Sequence, residues 1–232
     1  MFNPIINTLI PSYCLMCNRV GVSLCTRCIR DKIFVNWNTY CCVCNSKVKR
    51  GFIHDECKDQ TFLDGHIFMV SYNEGVKELI MQGKYSFYYN NFKFIGQKMS
   101  KFIRLFSLDE HSILVPIPLT RKKKNKRGFN QSEVICNEIS KYIDFKTINL
   151  LKRTKDVSAQ ADLSGEKRRS NLKGIFAIDQ DLQHVYSTSS VILVDDVYTT
   201  GSTLNECAKV LKENGVQRVY GYTFAKSGGI NN

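Results

Sequence analysis

The sequence contains no apolar run that approaches the length of a membrane-spanning helix, which needs about 20 consecutive apolar residues. Its first residues, MFNPIINTLIPSYC, lack the basic start and the small-residue cleavage site of a secretory signal. With only 4 prolines, 43% hydrophobic residues and 11% aromatic residues, the composition excludes a collagen-like, low-complexity or wholly disordered chain. We therefore expect a folded, cytoplasmic protein.

Acidic residues are few relative to basic ones. The chain has 21 Asp and Glu against 33 Lys and Arg among 232 residues, and its formal net charge is +12. Such an excess favours an anionic partner, which can be a nucleic acid, a phosphorylated substrate or a membrane surface.

Cysteine, by contrast, is abundant and unevenly placed. Eight of the ten cysteines lie between Cys14 and Cys57. In a reducing compartment we expect ligands, catalytic groups or buried thiols, and not a disulfide framework. A module of about 60 residues with few large apolar side chains usually needs a metal or a disulfide. The sequence therefore predicts a cysteine-rich module at residues 1–62 and a larger domain at 63–232.

The spacing of the first four cysteines is typical of structural zinc. Cys14-x-x-Cys17 is followed by Cys25-x-x-Cys28, and each Cys-x-x-Cys turn presents two thiolates to one metal ion. Four thiolates leave no open position for water, so this zinc stabilises the fold and takes no part in chemistry. A redox-active Cys-x-x-Cys pair and a chance pattern are the alternatives.

A second candidate site follows. Cys41-x-x-Cys44 and His54-x-x-Cys57 form a Cys₃His pattern, which also suits zinc. Cys42 offers an alternative ligand. The alternative to a second zinc site is a degenerate ribbon that has lost its metal. We therefore expect structural zinc at one or two sites.

Strands and helices alternate from residue 66 onward. Runs of apolar and β-prone residues predict strands, and apolar residues at helical spacing predict helices. The predicted strands are 66–72, 112–118, 175–178, 190–195 and 216–224, and the predicted helices are 74–84, 92–106, 130–142 and 203–214. Residues 150–169 are polar and basic, which predicts a mobile loop or flap. This alternation predicts an α/β fold with a parallel or mixed sheet flanked by helices.

The densest positive charge lies between a predicted strand and a predicted helix. The run consists of Arg121, Lys122, Lys123, Lys124, Lys126 and Arg127. Charge runs are commonly solvated surface. Ligands of open α/β sheets, however, bind at the carboxyl ends of strands, which is where this run begins.

Residues 191–203, VILVDDVYTTGST, form the motif with the clearest chemistry. Four apolar residues predict a buried strand, and Asp195 and Asp196 follow at its carboxyl end. A loop then opens a helix, where backbone N–H groups and the helix dipole favour an anion, and Gly201 lets the backbone approach closely. The candidate phosphate-binding residues are Thr199, Thr200, Gly201, Ser202 and Thr203.

Carboxylates beside a phosphate loop predict a ribose 5-phosphate site. The carboxylates can accept hydrogen bonds from vicinal sugar hydroxyls or face a hydrated cation, and the loop can hold the phosphate. The loop lacks the lysine of the nucleotide-triphosphate P-loop, so the motif does not predict ATP hydrolysis.

This stretch resembles the motif that binds 5-phosphoribosyl 1-pyrophosphate (PRPP) in type I phosphoribosyltransferases. Further segments are similar to a narrower group. They are Pro116-x-Pro118 followed by RGFNQ at 127–131, Gln160-x-x-Leu163 followed by Arg168 and NLKGIF at 171–176, and the cysteine-rich start. Together they resemble the ComF family, in particular its late-competence members, over nearly the whole chain. The resemblance implies a type I phosphoribosyltransferase-like sheet preceded by a small zinc-ribbon module.

The resemblance also implies roles for individual residues. Asp195 and Asp196 would contact the ribose hydroxyls of PRPP, and residues 199–203 would hold its 5-phosphate. Arg121 and Arg127 would face pyrophosphate, with Asn130 and Gln131 supporting that edge. Mg²⁺ would arrive with PRPP, bound mainly by the oxygens of the ligand.

Two positions depart from the patterns of the relatives. Some purine-salvage members of the superfamily carry a third acidic residue where Thr199 stands here, and that residue acts as a base. The last Cys-x-x-Cys usual in the ComF family is His54-x-x-Cys57 in this chain.

Three functions follow as hypotheses. The resemblance implies a competence accessory protein that handles incoming single-stranded DNA, beside a helicase partner, with Lys122, Lys123, Lys124 and Lys126 contacting the nucleic acid. The intact phosphate motif favours an active phosphoribosyltransferase on an unknown acceptor. The third hypothesis is a zinc-ribbon docking protein with a vestigial fold.

Overall fold

The structure is a computed structural model of the chain. It describes residues 13–14, 17, 19–20, 25, 27–28, 38–85, 89–103, 108, 111–154, 174–179, 181 and 190–228. In the part of the chain that is described, no helix is long and apolar enough to cross a membrane.

A sheet of four parallel strands forms the centre of the fold. The strands are β3 (Gly65–Ser71), β4 (Ile113–Pro116), β7 (Val191–Tyr198) and β8 (Val219–Lys226), in the order β3-β8-β7-β4. Helices cover both faces of a parallel sheet, so its strands are buried along most of their length and consist mainly of apolar residues.

The helices divide between the two faces. They are α1 (Glu74–Tyr85), α2 (Asn90–Ile103), α3 (Arg121–Arg127), α4 (Gln131–Ile139) and α5 (Ser202–Glu213). Ile192 and Val194 pack in one core cluster with residues of α1, α2 and α4. Val191 and Leu193 pack in a second cluster with residues of α5. The alternation along β7 therefore builds a core on each side of the sheet.

Two small antiparallel pairs lie outside the central sheet. The first pairs β1 (Thr39–Tyr40) with β2 (Lys47–Val48) and is followed by a 3₁₀ helix at Asp55–Gln60. The second pairs β5 (Leu151–Arg153) with β6 (Phe176–Ile178). Leu151 and Phe176 are buried in the core cluster that contains α5.

The basic run, expected as a charged segment between two elements, is itself a helix. The Thr120 hydroxyl accepts a hydrogen bond from the Lys123 N–H at 3.2 Å and caps the first turn of α3. Gly128 ends the helix in the left-handed region at φ 78°, and its N–H donates to the Lys124 carbonyl at 2.8 Å. Start and stop signals thus hold a helix despite the repulsion of its like charges.

Two further predictions need correction. The loop predicted at 150–169 contains β5, because residues 151–153 find a partner strand at 176–178, too distant in sequence for a local pattern to indicate. Residues 155–169 lie outside the described part. The strand predicted at 190–195 runs on to Tyr198, because β7 pairs with β8 as far as Tyr198 opposite Lys226. The other predicted strands and helices are confirmed with shifted ends, and residues 104–106 of the predicted helix 92–106 lie outside the described residues.

Candidate functional site

The two aspartates lie in the second half of β7, beyond the four buried apolar residues that start the strand. Asp196 is enclosed, with a side chain 5% exposed, and the Lys84 Nζ lies 2.5 Å from its Oδ2. The Gln131 Nε2 donates a hydrogen bond to Asp196 Oδ1 at 3.2 Å, and Arg127 Nη1 donates to Gln131 Oε1 at 2.9 Å. Side chains from α1 and α4 thus contact this carboxylate, and Arg127 of α3 is connected to it through Gln131.

Asp195 has a different environment. Its Oδ1 accepts hydrogen bonds from the Ser132 hydroxyl and from the Asp196 N–H, both at 2.9 Å. Burial, together with the negative charge of Asp196, raises the pKa of Asp195 to about 7. Burial also disfavours the charged form of Asp196, but the Lys84 ammonium outweighs it and holds the pKa of that carboxyl below its usual range. Asp196 is therefore the ionised member of the pair at neutral pH, and Asp195 exchanges a proton near neutrality.

The candidate phosphate loop, residues 199–203, connects β7 to α5. Thr199 and Thr200 are exposed, and the Thr200 and Ser202 hydroxyl oxygens lie 2.8 Å apart. Gly201 has φ 73° and stands at the cap position of α5, where no side chain caps the helix. The positive end of the helix dipole and two neighbouring hydroxyls therefore face the loop, which suits an anion.

A basic edge borders the acid pair on the side of α3. Arg127 is buried and its guanidinium lies 5.5 Å from the centroid of the Tyr85 ring. Lys126 Nζ lies 5.6 Å from the same centroid. Loss of water around the ammonium, followed by the positive charges of Arg127, Arg153 and Lys84, lowers the pKa of Lys123, although its side chain is largely exposed. The cations are close enough to oppose one another's charge, and a bound anion would relieve that repulsion.

The exposed part of α3 carries the remaining basic residues. They are Arg121, Lys122, Lys123, Lys124 and Lys126. The first interpretation of the run, a solvated face, describes these side chains, whereas Arg127 turns inward to the acid pair.

Eight predicted metal ligands form two groups. Cys14, Cys17, Cys25 and Cys28 bring their sulfurs within 4.8 Å of one another, and so do the ligand atoms of Cys41, Cys44, His54 and Cys57. The Cys17 and Cys25 sulfurs are 3.7 Å apart, close to the separation of about 3.8 Å that tetrahedral zinc with 2.3 Å bonds to sulfur requires. The Cys44 sulfur lies 3.3 Å from His54 Nδ1. Both donor sets fit zinc, and either ion would be structural because four protein ligands fill its coordination shell.

The remaining cysteines are thiols outside these groups. Cys42, considered as an alternative ligand, stays out of the second group, which contains Cys41. Burial raises the pKa of the Cys42 thiol to about 12. Cys136 and Cys207 are fully buried in the two core clusters, and burial raises the pKa of both thiols.

The chain is similar in sequence to several known proteins. Residues 116–229 match the phosphoribosyl transferase domain family. Over 215 residues the chain is 29% identical to Competence protein F of Haemophilus influenzae, and the match covers 88% of this chain and 90% of that protein. Over 166 residues it is 28% identical to Competence protein ComFC of Bacillus subtilis, covering 68% of this chain and 62% of the relative. These matches support the resemblance to the ComF family.

A shorter match extends the same relationship. Over 107 residues the chain is 35% identical to the DNA utilization protein YhgH of Escherichia coli K12, covering 46% of this chain and 45% of that protein. The chain thus spans about half the length of that relative. The domain match and the parallel sheet with flanking helices confirm the predicted type I phosphoribosyltransferase fold.

The sequence-predicted residues have unequal places in the site. Asp195, Asp196 and the loop residues lie together at the end of β7, and Arg127 and Gln131 connect to Asp196. Asn130 caps α4, accepting from the Ser132 N–H at 3.1 Å, and donates to the Ile117 carbonyl at 3.0 Å. Asn130 therefore holds the backbone, and Arg121 lies exposed at the first residue of α3. The roles given to these residues in ligand binding stay predictions.

Sequence reasoning missed Lys84 and Ser132. Lys84 lies more than a hundred residues before Asp196, and only the packing of α1 against the end of the sheet brings them together. Ser132 directly follows the RGFNQ motif and could have been suspected because the first turn of α4 faces the same edge.

Proposed function

We propose that the chain binds PRPP with Mg²⁺ at the ends of β4 and β7 and acts in the handling of single-stranded DNA during natural transformation. One observation carries the first half of this proposal. An acid pair whose Asp196 is buried, an open phosphate loop at a helix start and the basic residues of α3 adjoin at one edge of the sheet. These are the groups that a ribose diol, a 5-phosphate and a pyrophosphate need, respectively.

Each part of PRPP has a candidate partner. The 5-phosphate would accept hydrogen bonds from the loop at 199–203 and from the start of α5. Asp195, half-buried beside Asp196, would accept from the ribose hydroxyls. Arg127 and Lys84 would offer positive charge to the pyrophosphate.

Mg²⁺ fits the same edge through the carboxylate of Asp195, because hard oxygen ligands suit this ion and PRPP supplies most of them. When bound, the ion would neutralise the pyrophosphate charge. The Asp195 and Asp196 carboxylates would stabilise positive charge that develops on the ribose if pyrophosphate leaves.

Equilibrium binding tests this half directly. We expect PRPP with Mg²⁺ to bind the zinc-loaded protein in calorimetric titrations, and Asp195→Asn to weaken binding about tenfold because the amide nitrogen cannot accept from the ribose. Ribose 5-phosphate should bind more weakly than PRPP, since it lacks the pyrophosphate. An affinity that is the same for the wild type and Asp195→Asn would contradict the assignment of the ribose to this carboxylate.

The DNA half of the proposal rests on charge and on the relatives. Relatives named for competence and for DNA utilization match the chain. The exposed lysines of α3 give this helix a dense positive charge beside the candidate site. Neutralising DNA phosphates releases counterions, so binding should weaken as salt rises. A helicase-type competence protein is the partner that we propose for this step.

Fluorescence anisotropy with a labelled single strand tests the DNA half. We expect a variant with Lys122, Lys123, Lys124 and Lys126 changed to Gln to lose most of its affinity and to show a shallower salt dependence. The matched control changes four exposed lysines outside α3, namely Lys47, Lys49, Lys101 and Lys146, to Gln. Equal losses in the two variants would show that only the net charge matters and would remove α3 as the DNA contact.

Catalysis is a second candidate function, and the pKa of about 7 at Asp195 favours it. A carboxyl that titrates near neutrality can take up a proton from an acceptor as well as hold a sugar. Pyrophosphate release from PRPP in the presence of candidate acceptors is the measurement. Release that depends on Asp195 would establish a phosphoribosyltransferase, whereas PRPP binding without release for every acceptor would favour a regulatory or sensing site.

A further inference from the structure

The second metal group is bonded to the start of the phosphate loop. Tyr198, the last residue of β7, is 7% exposed, and its hydroxyl donates to the Cys42 carbonyl at 3.2 Å. Cys42 lies inside the Cys41-x-x-Cys44 turn that supplies two of the four ligand atoms. One hydrogen bond therefore joins the metal-binding turn to the residue that precedes the loop.

The Tyr198 ring also fixes the path of the loop. A Cβ added to Gly201 would collide with the Tyr198 hydroxyl and ring carbons, so the loop backbone passes directly over this side chain. The Tyr198 ring centroid also lies 4.2 Å from that of the buried His66. The Tyr198 carbonyl accepts from the Ser227 N–H at 2.8 Å. A shift of this ring would therefore shift the glycine above it.

The far side of the loop is tied to the same cysteine-rich segment. Asn205, in the first turn of α5, accepts hydrogen bonds at its Oδ1 from the Thr61 hydroxyl and the Phe62 N–H, both at 2.7 Å. Thr61 directly follows the 3₁₀ helix that carries the ligand Cys57. At the end of β8, Lys226 Nζ donates to Asn45 Oδ1 at 2.8 Å, beside the other ligand turn.

The first metal group has different neighbours. Its buried cysteines, Cys14, Cys25 and Cys28, belong to the core cluster of α1, α2 and α4. Cys41 and Cys57 of the second group belong to the cluster that contains Leu204 of α5. The two groups therefore pack in different cores, and the second shares its core with the helix of the phosphate loop.

We infer that the second metal group braces the phosphate loop, so that metal occupancy at Cys41, Cys44, His54 and Cys57 and anion binding at residues 199–203 are linked through Tyr198. Tyr198 is a positioning residue that need not touch the ligand. Linkage is reciprocal, so zinc at this group tightens anion binding by the same factor by which the anion tightens zinc. This inference rests on the proposed binding of PRPP.

The first experiment removes one hydroxyl. Tyr198→Phe keeps the ring under Gly201 and deletes the bond to Cys42, and we expect zinc-loaded Tyr198→Phe to bind PRPP with Mg²⁺ about fivefold more weakly, the worth of one hydrogen bond. The matched control is Tyr222→Phe. It removes the buried Tyr222 hydroxyl, which donates to the Met99 carbonyl at 2.7 Å on the α2 side of the sheet. It should bind PRPP as the wild type does.

The second experiment measures zinc affinity and not anion affinity. Zinc is competed to equilibrium with a chromogenic chelator, with and without saturating PRPP and excess Mg²⁺. In the wild type we expect PRPP to tighten the binding of one zinc per chain and to leave the other unaffected. The unaffected site is the internal control for zinc that PRPP itself binds. In Tyr198→Phe this tightening should be about fivefold smaller.

A third comparison changes one exposed ligand at each site. We expect Cys44→Ser to weaken PRPP binding more than Cys17→Ser does, with zinc per chain counted by elemental analysis for both variants.

The outcomes separate the inference from the proposed function. If the zinc-loaded wild type does not bind PRPP, both fail. Suppose instead that the wild type binds PRPP. If Tyr198→Phe and Tyr222→Phe then bind it equally well, or if PRPP affects both zinc ions alike, the inferred link between the second metal group and the loop is wrong and the proposed site stands.

Discussion

The acid pair and the phosphate loop adjoin along β7 but are built in opposite ways. Asp196 is enclosed by Lys84 and Gln131, so the fold itself fixes its charge and position. Thr199 and Thr200 of the loop are exposed, and their hydroxyls are open to a ligand. The difference indicates that substitutions that leave Asp196 without its partners should cost mainly folding stability, whereas substitutions in the loop should cost mainly ligand affinity.

The largest expected effect breaks the enclosed half. Lys84→Met leaves Asp196 charged and buried without its ion partner, and we expect the free energy of unfolding to fall by about 3 kcal/mol. Urea unfolding of the zinc-loaded protein, followed by circular dichroism, is the measurement. The control is Lys77→Met on the same helix, whose ammonium lies 3.3 Å from an exposed Glu74 carboxylate. Lys77→Met should lower the free energy of unfolding by less than about 0.5 kcal/mol. Similar losses for the two variants would mean that the buried ion pair contributes no more to stability than an exposed one.

The next effect concerns the open half. Gly201→Ala places a methyl group against the Tyr198 hydroxyl at a backbone φ of 73°, so we expect PRPP affinity to fall about thirtyfold, or about 2 kcal/mol. The control is Gly215→Ala, which has a φ of 93° and no atom within 4 Å of an added Cβ. Both variants carry the strain of a positive φ, about 1 kcal/mol of stability. Only Gly201→Ala should lose affinity in calorimetric titration, and equal affinities would contradict the placement of phosphate in this loop.

A smaller effect is expected in the dependence of stability on pH. Because burial raises the pKa of Asp195 to about 7, the folded state keeps a proton that the unfolded state releases above its ordinary pKa of 3.8. The wild type should therefore lose stability as pH rises toward 7 and change little above it, as far as this group is concerned. The lowered pKa of Asp196 acts only at more acidic pH, where loss of that charge would destabilise the fold.

Asp195→Asn removes the contribution of this carboxyl to the pH dependence of stability. Its free energy of unfolding, relative to that of the wild type, should increase by about 1.5 kcal/mol between pH 5.5 and pH 7.5. Staying above pH 5.5 limits the protonation of metal ligands, which would add its own pH dependence. Parallel stability curves for the two proteins would show that Asp195 titrates in the ordinary acidic range.

The smallest expected effect concerns a single hydroxyl at the border of the two halves. Ser132→Ala removes the donor to Asp195 Oδ1, and we expect it to lower stability by about 1 kcal/mol and PRPP affinity about threefold. Ser100→Ala, which removes a buried hydroxyl bonded to the Gln97 carbonyl on α2, should match the loss of stability and leave affinity unchanged. If both variants lose affinity equally, Ser132 has no part in orienting the carboxylate.

Local patterns predicted the parts of the site whose members are close in sequence. Asp195, Asp196 and the loop occupy one run of nine residues, and each metal group is built from Cys-x-x-Cys or His-x-x-Cys pairs. Strand and helix periodicity gave the central sheet and four of its helices for the same reason. Chemistry that fits within a turn or a strand end leaves a pattern in the sequence.

Contacts between distant segments left no such pattern. Nothing in the sequence around Lys84 indicates that it neutralises a carboxylate on β7, and β5 is recognisable only through its partner at 176–178. Tyr198 lies inside the predicted motif, yet its bond to Cys42 depends on how the cysteine-rich segment packs over the sheet. The basic run alone did not predict the helix α3, because the residues that cap it, Thr120 and Gly128, lie outside the run.

The most direct test of the central claim is a crystal structure of the zinc-loaded protein with PRPP and Mg²⁺, with the zinc content measured by elemental analysis. We predict the 5-phosphate within hydrogen-bonding distance of the loop at 199–203, the ribose hydroxyls on Asp195, and the pyrophosphate beside Arg127. Electron density for PRPP at any other place, or none at a concentration that saturates binding in solution, would contradict the assignment of this edge as a phosphoribosyl site.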